Sequence, residues 1–308
     1  MSKKSMAERR QARGSAGGGN GRGSARSPQY RRQKSSSRRP WGLFAAIGAV
    51  VAVFVVVIVV ADLSAQPTTQ DTQVLPAPAQ VVSAVTHIPT ANLNKVGKGD
   101  INFPPAAVPS PTTLTSQGKP EVLYVGAEYC PYCALERWSL IGALSEFGSF
   151  HNLKIIRGSA TDPAGTNIAT FTFAHGVTYS SPYLTFVARE LYSNVPDKSS
   201  TNGYTPFQRL TAQEATLFTQ VGQSGFPFVD FGGKIAQVGS ESTSPGPPGL
   251  EGYDWQQIAS LLAKTSSTPA KMILGGVNYD TAAICSITGN RPGSVCDRPL
   301  VRQLEAGL

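Results

Sequence analysis

The sequence predicts an α/β fold for the central part of the chain, and three consecutive segments indicate it. Residues 121–126 are mostly apolar and predict a buried strand, residues 131–147 carry apolar side chains at helical spacing, and residues 153–157 alternate as a second strand. This order is typical of a β-α-β unit. We expect the domain to cover residues 119–265, with an insertion at about residues 160–225, since that stretch is too long for a plain connection.

The first 40 residues form a basic tail that we expect to be disordered. They hold twelve Lys and Arg residues against one acidic residue, Glu8, whereas the other 268 residues hold 15 basic and 18 acidic residues. The tail is rich in Ser, Gly and Arg and cannot bury enough apolar surface to offset the entropy lost on ordering. We interpret it as a solvated topology signal, with contact to anionic lipid as the alternative, and predict no specific nucleic-acid partner.

Residues 41–61 are 21 consecutive uncharged residues and predict a single transmembrane helix. At about 1.5 Å per residue, such a helix spans a hydrocarbon core of roughly 30 Å. The basic tail before it predicts a cytoplasmic N-terminus and an extracytoplasmic C-terminal domain at the cell membrane. A cleaved signal peptide ending near residues 63–65 is the alternative, although its apolar core of about 7–15 residues would be shorter. Either interpretation places the cysteines where disulfides persist.

Two further regions flank the predicted domain. Residues 62–118 are rich in Pro, Thr, Ala, Gln and Ser, a composition that favours extended polyproline geometry and predicts an extracytoplasmic stalk. Within it, residues 81–96 are less polar and are a candidate for a short element docked on the domain. Residues 266–308 predict a small helical C-terminal segment that carries a second pair of cysteines.

Cys130 and Cys133 lie in a Cys-Pro-Tyr-Cys sequence where the predicted strand meets the predicted helix. A cysteine at a helix N-terminus lies at the positive end of the helix dipole, which favours the thiolate over the thiol. Cys133, one helical turn later, is placed to resolve a mixed disulfide on Cys130. Pro131 suits the first helical position because its missing N–H would have no partner there. Tyr129 and Tyr132 flank the sulfurs, and together with Pro131 and Phe226 they are expected to shape access to them.

The residues around this pair resemble known families. Residues 127–133 are similar to the active-site entry of the thioredoxin superfamily. Four segments together resemble the domain of unknown function 929 family, an uncharacterised prokaryotic family with a thioredoxin-like core. These segments are residues 124–138, 226–228, 283–285 and 295–296. The resemblance covers roughly residues 80–297 and implies a thioredoxin-like α/β fold without naming a substrate.

The resemblance also implies a cis proline opposite the cysteines, against which a substrate chain lies. Phe226 and Pro227 stand where such a proline would lie, but only about 5–6% of X-Pro bonds are cis, so the sequence does not assign the isomer. Thioredoxins carry a buried Asp six positions before the first cysteine, whereas this chain has Tyr124. Glu128 and Glu136 lie nearby, and we expect both to be exposed and solvated.

The predicted function is that of a membrane-anchored extracytoplasmic thiol-disulfide oxidoreductase acting on protein disulfides, with no cofactor and no metal. Cys130, Cys133 and Pro227 are the predicted catalytic residues. The expected partners are extracytoplasmic protein thiols and disulfides, the membrane through residues 41–61, and a membrane redox partner. The direction of exchange is not predicted, because it depends on how strongly the surroundings stabilise the thiolate.

The alternative is a non-catalytic exported thioredoxin-like binding or scaffold domain, or a copper carrier. A zinc site that includes Cys285 and Cys296 is disfavoured, since their spacing matches no common zinc motif, and Ala134 excludes haem attachment because that motif needs His. A copper site would need a nearby histidine. The chain has three histidines, which are His87, His151 and His175.

Cys285 and Cys296 are close enough in sequence to form a disulfide. Such a bridge closes a loop of about a dozen residues and contributes roughly 3 kcal/mol in the loop-entropy model. The alternative is that this pair relays electrons to or from Cys130 and Cys133. Both interpretations account for an even number of cysteines outside the cell.

Overall fold

The computed structural model describes residues 69–109 and 113–308, and in these residues the chain has a mixed α/β fold. The predicted tail of residues 1–40 and the predicted membrane-spanning residues 41–61 lie outside the described residues. Within the described residues, no helix has both the length and the apolar character needed to cross a membrane.

The described residues form thirteen strands and eight α-helices. The strands are β1 Leu75–Pro76, β2 Ala106–Ala107, β3 Thr115–Ser116, β4 Lys119–Gly126, β5 Ser149–His151, β6 Lys154–Arg157, β7 Ala169–Thr172, β8 Thr178–Ser180, β9 Thr185–Glu190, β10 Tyr192–Pro196, β11 Tyr204–Pro206, β12 Phe228–Phe231 and β13 Ile235–Val238. The helices are α1 Ala79–Thr86, α2 Thr90–Val96, α3 Pro131–Ser145, α4 Ala212–Gln220, α5 Trp255–Leu261, α6 Thr268–Thr288, α7 Gly293–Cys296 and α8 Pro299–Glu305.

The strand before the cysteines, β4, is the centre of the main sheet. It pairs in parallel with β9 on one side and antiparallel with β12 on the other, and β12 continues through β13 to β2. The last six residues of β4 are buried, as expected for an apolar strand covered on both faces. The short strand β3 pairs with the beginning of β4.

The parallel neighbour of β4 differs from the one that the sequence suggests. The strand predicted at residues 153–157 is β6, but it pairs antiparallel with β1 and β7 in a separate three-stranded sheet. The parallel position beside β4 belongs to β9, which lies in the predicted insertion. The predicted β-α-β unit was therefore wrong in its second strand, because alternation identifies an extended segment and not its neighbour in a sheet.

The region expected to be an extended stalk packs on the domain over its described residues. Helix α1 buries Val81 and Val85 completely, and α2 buries Leu93, all three within the main hydrophobic core. The side-chain amide of Asn278 in α6 donates to the carbonyl oxygens of Leu93 and Gly97 at 3.0 and 2.8 Å. Apolar residues at helical spacing, rather than the overall proline content, decide the structure here.

The C-terminal region is also part of the core. Helix α6 is 21 residues long and buried over most of its length, and it packs against α3. A side chain at Gly142 of α3 would lie 2.6 Å from Val277 of α6, so the two helices approach closely at this point. Residues 266–308 therefore support the helix that carries the cysteines rather than forming a separate segment.

Candidate functional site

The first cysteine of the pair caps the helix that follows β4. Pro131 is the first residue of α3, and Cys130 is its N-cap, with the sulfur accepting a hydrogen bond from the Cys133 amide at 3.4 Å. Before the helix, the Cys130 amide donates to the carbonyl oxygen of Ala127 at 3.1 Å. Both cysteines are free thiols, Cys130 with 7% of its surface exposed and Cys133 with none.

The two thiols differ in acidity. The pKa of Cys130 is lowered by hydrogen bonds from the Cys133 thiol and the Cys133 amide and by the charge of Arg137. Burial acts in the opposite direction. Burial and the neighbouring Cys130 raise the pKa of Cys133 well above its usual range. Of the two sulfurs, Cys130 is therefore the one that loses its proton more readily, and Cys133 is the one that holds its proton more tightly.

A buried ion pair lies next to the cysteines. Arg137, one turn after Cys133 in α3, donates from Nε and Nη2 to the two carboxylate oxygens of Glu190, both at 2.9 Å. Its Nη2 also donates to the carbonyl oxygen of Ala127 at 2.6 Å, which ties the turn before Cys130 to the helix. Both side chains are fully buried, so the arginine supplies a fixed positive charge close to the sulfurs.

The sequence did not predict this ion pair. Arg137 is one of two charged residues in a mostly apolar helical stretch, which is a usable signal for a buried role. Its partner lies at the end of β9, 53 residues later. Only the parallel pairing of β9 with β4, which places Glu190 opposite Gly126, brings the two together.

Tyr124 occupies the space behind Cys133. Its ring is fully buried, and burial raises the pKa of its hydroxyl well above the usual range. A side chain at Gly126 would collide with the Tyr124 hydroxyl and lie 3.0 Å from Cys133 Sγ. Glycine at this position therefore leaves room for the tyrosine and the second cysteine together.

Glu128 and Glu136 are both buried, so the expectation that they are exposed was wrong. Glu128 accepts hydrogen bonds from the Thr172 hydroxyl at 2.6 Å and from the His175 ring at 3.0 Å. Glu136 lies in α3, and 1% of its surface is exposed. Strands and helices distant in sequence cover both side chains, which a local charge pattern does not reveal.

Aromatic residues surround the exposed side of the pair. Tyr129 stacks on Tyr204 with ring centroids 4.2 Å apart and lies 6.2 Å from the ring of Tyr192. Tyr129, Tyr132, Tyr192 and Phe226 are partly buried and pack against Ala127 and the two cysteines. The predicted site-shaping residues Tyr129, Tyr132 and Phe226 therefore lie together at the sulfurs.

Phe226 packs against the cysteines although it is about 95 residues away in sequence, and Pro227 follows it. The peptide bond between them is cis, and the carbonyl oxygen of Pro227 accepts a hydrogen bond from the Gly239 amide at 2.8 Å. The antiparallel pairing of β12 with β4 places Phe228 opposite Val125 and so brings this segment to the end of β4 where the cysteines lie.

Cys285 and Cys296 are joined in a disulfide, and neither has any exposed surface. The bridge ties α6 to α7 inside the main core, away from the small cluster that contains Cys130 and Cys133. Because these sulfurs are bonded to each other, they are not available as zinc ligands. In the described part of the chain, no histidine forms a hydrogen bond or ion pair with a cysteine; His175 instead pairs with Glu128.

Comparison with known proteins identifies a family and nothing closer. The family model of the domain of unknown function DUF929 matches residues 106–286. No curated protein and no solved structure matches the chain. The matched range contains Cys130, Cys133, Arg137, Glu190 and Pro227.

Proposed function

We propose that this chain, which belongs to the DUF929 family, is a thiol-disulfide oxidoreductase with a thioredoxin-like core. The observation that carries the proposal is the difference between its two free sulfurs. Cys130 caps a helix, accepts a hydrogen bond from the Cys133 amide and has a lowered pKa, whereas Cys133 is fully buried with a raised pKa. A dithiol site needs this division between an attacking and a resolving cysteine.

The proposed exchange moves two electrons. The Cys130 thiolate attacks one sulfur of a substrate disulfide, the S–S bond breaks, and the leaving sulfur departs as a thiolate that takes up a proton. Cys133 then loses its proton and attacks Cys130 Sγ, which releases the second substrate sulfur. The substrate disulfide is reduced to two thiols and the protein is left with a Cys130–Cys133 disulfide. The reverse sequence oxidises a substrate dithiol, and a partner dithiol or disulfide returns the protein to its starting state.

The Arg137 guanidinium stabilises the thiolate in this scheme. It is fully buried, so its charge acts through a medium of lower dielectric than water. Glu190 compensates part of that charge and fixes the guanidinium with two hydrogen bonds. The pair therefore contributes to the lowered pKa of Cys130, in addition to the hydrogen bonds from Cys133.

The strand arrangement supports a thioredoxin-like core. Such a core has a central strand that ends at the cysteines, with a parallel strand on one side and an antiparallel hairpin on the other. Here β4 is the central strand, β9 is the parallel strand, and β12 and β13 form the hairpin. Helix α3 begins at the end of β4, and α4 precedes β12. In this interpretation the segment between α3 and β9 is added to the core.

The proposed substrate is an extended segment of an extracytoplasmic protein. Partly buried aromatic side chains around Cys130 offer an apolar surface for such a segment, and a pocket of about 290 Å³ adjoins them at Tyr192 and Leu191. We place the domain outside the cytoplasmic membrane, anchored by residues 41–61, because of the basic tail before that apolar run. A buried disulfide between Cys285 and Cys296 suits that oxidising side of the membrane.

The test is reduction of a disulfide-linked fluorescent peptide by the full-length chain with a thiol reductant, compared with Cys130→Ser and Cys133→Ser. We expect turnover by the native chain, no turnover by Cys130→Ser and at most a stalled mixed disulfide with Cys133→Ser. Ser193→Ala, a change in β10 near the site that leaves both sulfurs intact, is the matched control and should retain activity. Equal inactivity of native chain and variants, combined with tight copper binding, would instead support the copper carrier.

A further inference from the structure

Three acidic side chains meet inside the protein. Glu136 comes from α3, Asp280 from α6 and Glu241 from the loop that follows β13. One oxygen of each lies within 4.8 Å of one oxygen of each of the others. Their exposed fractions are 1%, 0% and 2%, so the cluster is closed off from solvent.

The carboxylate oxygens lack the hydrogen bonds that buried polar groups normally make. Both oxygens of Asp280 and one oxygen each of Glu136 and Glu241 have no hydrogen-bond partner among the described residues. No Lys, Arg or His in the described ranges forms an ion pair with any of the three. Buried carboxylates without a partner are costly, and each needs compensation.

Protons alone do not explain this arrangement. Protonated carboxyl groups that share a buried site hydrogen-bond to each other, at roughly 2.5–3.0 Å between oxygens. Here the oxygens face one another within 4.8 Å without forming such bonds. Two oxygens bound to one calcium ion lie at most roughly 4.6–5.2 Å apart, because Ca–O distances are about 2.3–2.6 Å. Three oxygens within 4.8 Å of one another are close enough together to contact one shared cation.

The surrounding residues leave space for the Glu241 side chain and fix its loop. A side chain at Gly276 of α6 would lie 2.5 Å from Glu241 Oε2 and 2.5 Å from Ser139 Oγ, so glycine leaves the space that Glu241 enters. The carbonyl oxygen of Glu241 accepts hydrogen bonds from the amides of Asn102 and Phe103, both at 3.0 Å. The loop is thus fixed by a segment that precedes the sheet, although carboxylate oxygen Oε1 of Glu241 has no hydrogen-bond partner among the described residues.

We propose that Glu136, Glu241 and Asp280 bind a divalent cation of the oxygen-preferring class, and that this cation is Ca²⁺. The cluster offers carboxylate oxygens and no sulfur or imidazole, which suits Ca²⁺, Mn²⁺ and Mg²⁺ rather than Zn²⁺ or copper. Mg²⁺ gives up its water reluctantly and is seldom held in a cage made of protein alone, so a site without solvent access favours Ca²⁺.

The bound ion has a structural role in this proposal. It joins the cysteine-bearing helix α3 to α6 and to the loop after β13, three elements from distant parts of the chain. Burial raises the pKa of Glu136 to about 8 and, together with repulsion from neighbouring carboxylates, raises the pKa values of Glu241 and Asp280 well above their usual ranges; a bound cation opposes both effects. The inference does not depend on the thiol chemistry.

Metal content is the first test. The full-length chain is purified without chelator and its metals are measured by mass spectrometry, alongside the double variant Glu136→Gln/Asp280→Asn and the single variant Glu241→Gln. We expect one equivalent of calcium per native chain and loss of that calcium in both variants. Asp230→Asn, which changes a buried carboxylate outside the cluster, is the matched control and should keep its calcium.

Thermal unfolding is the second test, and it covers loss of the ion during purification. After removal of metals with EGTA, CaCl₂ at one hundred times its Kd should raise the Tm of the native chain and of Asp230→Asn by about 5–10 °C, and leave the cluster variants unchanged. MnCl₂ and MgCl₂ are tested alone in the same way. A stronger response to either would assign the site to that ion and overturn the assignment to Ca²⁺.

Two results would overturn the site itself. One is a native chain that contains no stoichiometric metal and whose Tm does not respond to any of the three salts. The other is equal metal content and equal response in the native chain and in folded cluster variants. If a variant does not fold, the metal content and response of the native chain decide the question.

Discussion

At the scale of single residues, the buried charge of Arg137 adds to the hydrogen bonds from Cys133 that lower the pKa of Cys130. The double variant Arg137→Met/Glu190→Gln removes the charge without leaving its partner unpaired. We expect the pKa of Cys130 to rise, so alkylation of Cys130 by iodoacetamide becomes slower at pH 7 and its midpoint moves to higher pH. The rate is followed by mass spectrometry, which identifies the modified cysteine.

A second ion pair on the same strand provides the control. Arg189 and Glu214 form a bidentate pair at 2.9 and 2.8 Å that is partly exposed. The corresponding variant Arg189→Met/Glu214→Gln should leave the alkylation midpoint unchanged. Arg137→Met alone leaves the buried Glu190 carboxylate without its ion-pair partner and should destabilise the chain by about 3–5 kcal/mol. An unchanged midpoint in the Arg137 double variant would remove the guanidinium from the mechanism.

Asp230 makes stability depend on pH in a way that can be measured separately. Burial raises its pKa to about 6 from an ordinary 3.8, while the Gly233 amide bonded to it acts in the opposite direction. The folded state therefore holds the proton more tightly, so this residue's contribution is fully present below pH 4 and is lost as the pH rises through 6. Asp230→Asn should be more stable than the native chain at pH 7.5, with the difference vanishing near pH 4, as measured by urea unfolding. A constant difference across this range would contradict the assignment.

At the scale of elements, α1 is part of the folded domain and not a spacer. Val81 and Val85 are fully buried in the main core, whereas Ser83 between them is exposed. Val81→Ala/Val85→Ala should lower the free energy of unfolding by about 2–4 kcal/mol, because it leaves cavities that the core does not fill. Ser83→Ala on the same helix should have little effect. Equal stability of all three chains in urea would mean that α1 does not pack as described.

Some structural elements can be predicted from the sequence, whereas their pairing cannot. A strand that leads into Cys130 and a helix that begins at Pro131 are local features, and the sequence predicts both. The position of β9 beside β4 is set by pairing between segments about 60 residues apart, and no local pattern contains it. The same limit applies to Arg137 and Glu190, whose meeting depends on that pairing.

The sequence also did not predict which charged residues are buried. Glu136 is a single acidic residue in an apolar helical stretch, and solvation is the usual outcome for such a residue. It is buried because α6 and the loop after β13 cover it, and both come from more than 100 residues further along the chain. The burial of a charged residue in a mostly apolar helix, such as Glu136, therefore becomes clear only from the structure.

At the scale of the whole molecule, the Cys285–Cys296 disulfide holds the C-terminal helices together. Replacing both cysteines with alanine opens a loop of about a dozen residues and should reduce stability by about 3 kcal/mol. Because both sulfurs are buried in a different cluster from the reactive pair, peptide reduction per folded molecule should be unchanged. Loss of turnover in a chain that remains folded would instead support an electron relay between the two pairs.

The central claim is that Cys130 forms a mixed disulfide with a protein substrate and that Cys133 resolves it. The most direct measurement is trapping with the full-length Cys133→Ser variant, followed by non-reducing electrophoresis and mass spectrometry of the linked peptide. We predict adducts joined through Cys130 that disappear on reduction and are absent from Cys130→Ser/Cys133→Ser. Finding no adduct in Cys133→Ser, or the same adducts when Cys130 is also replaced, would contradict the account.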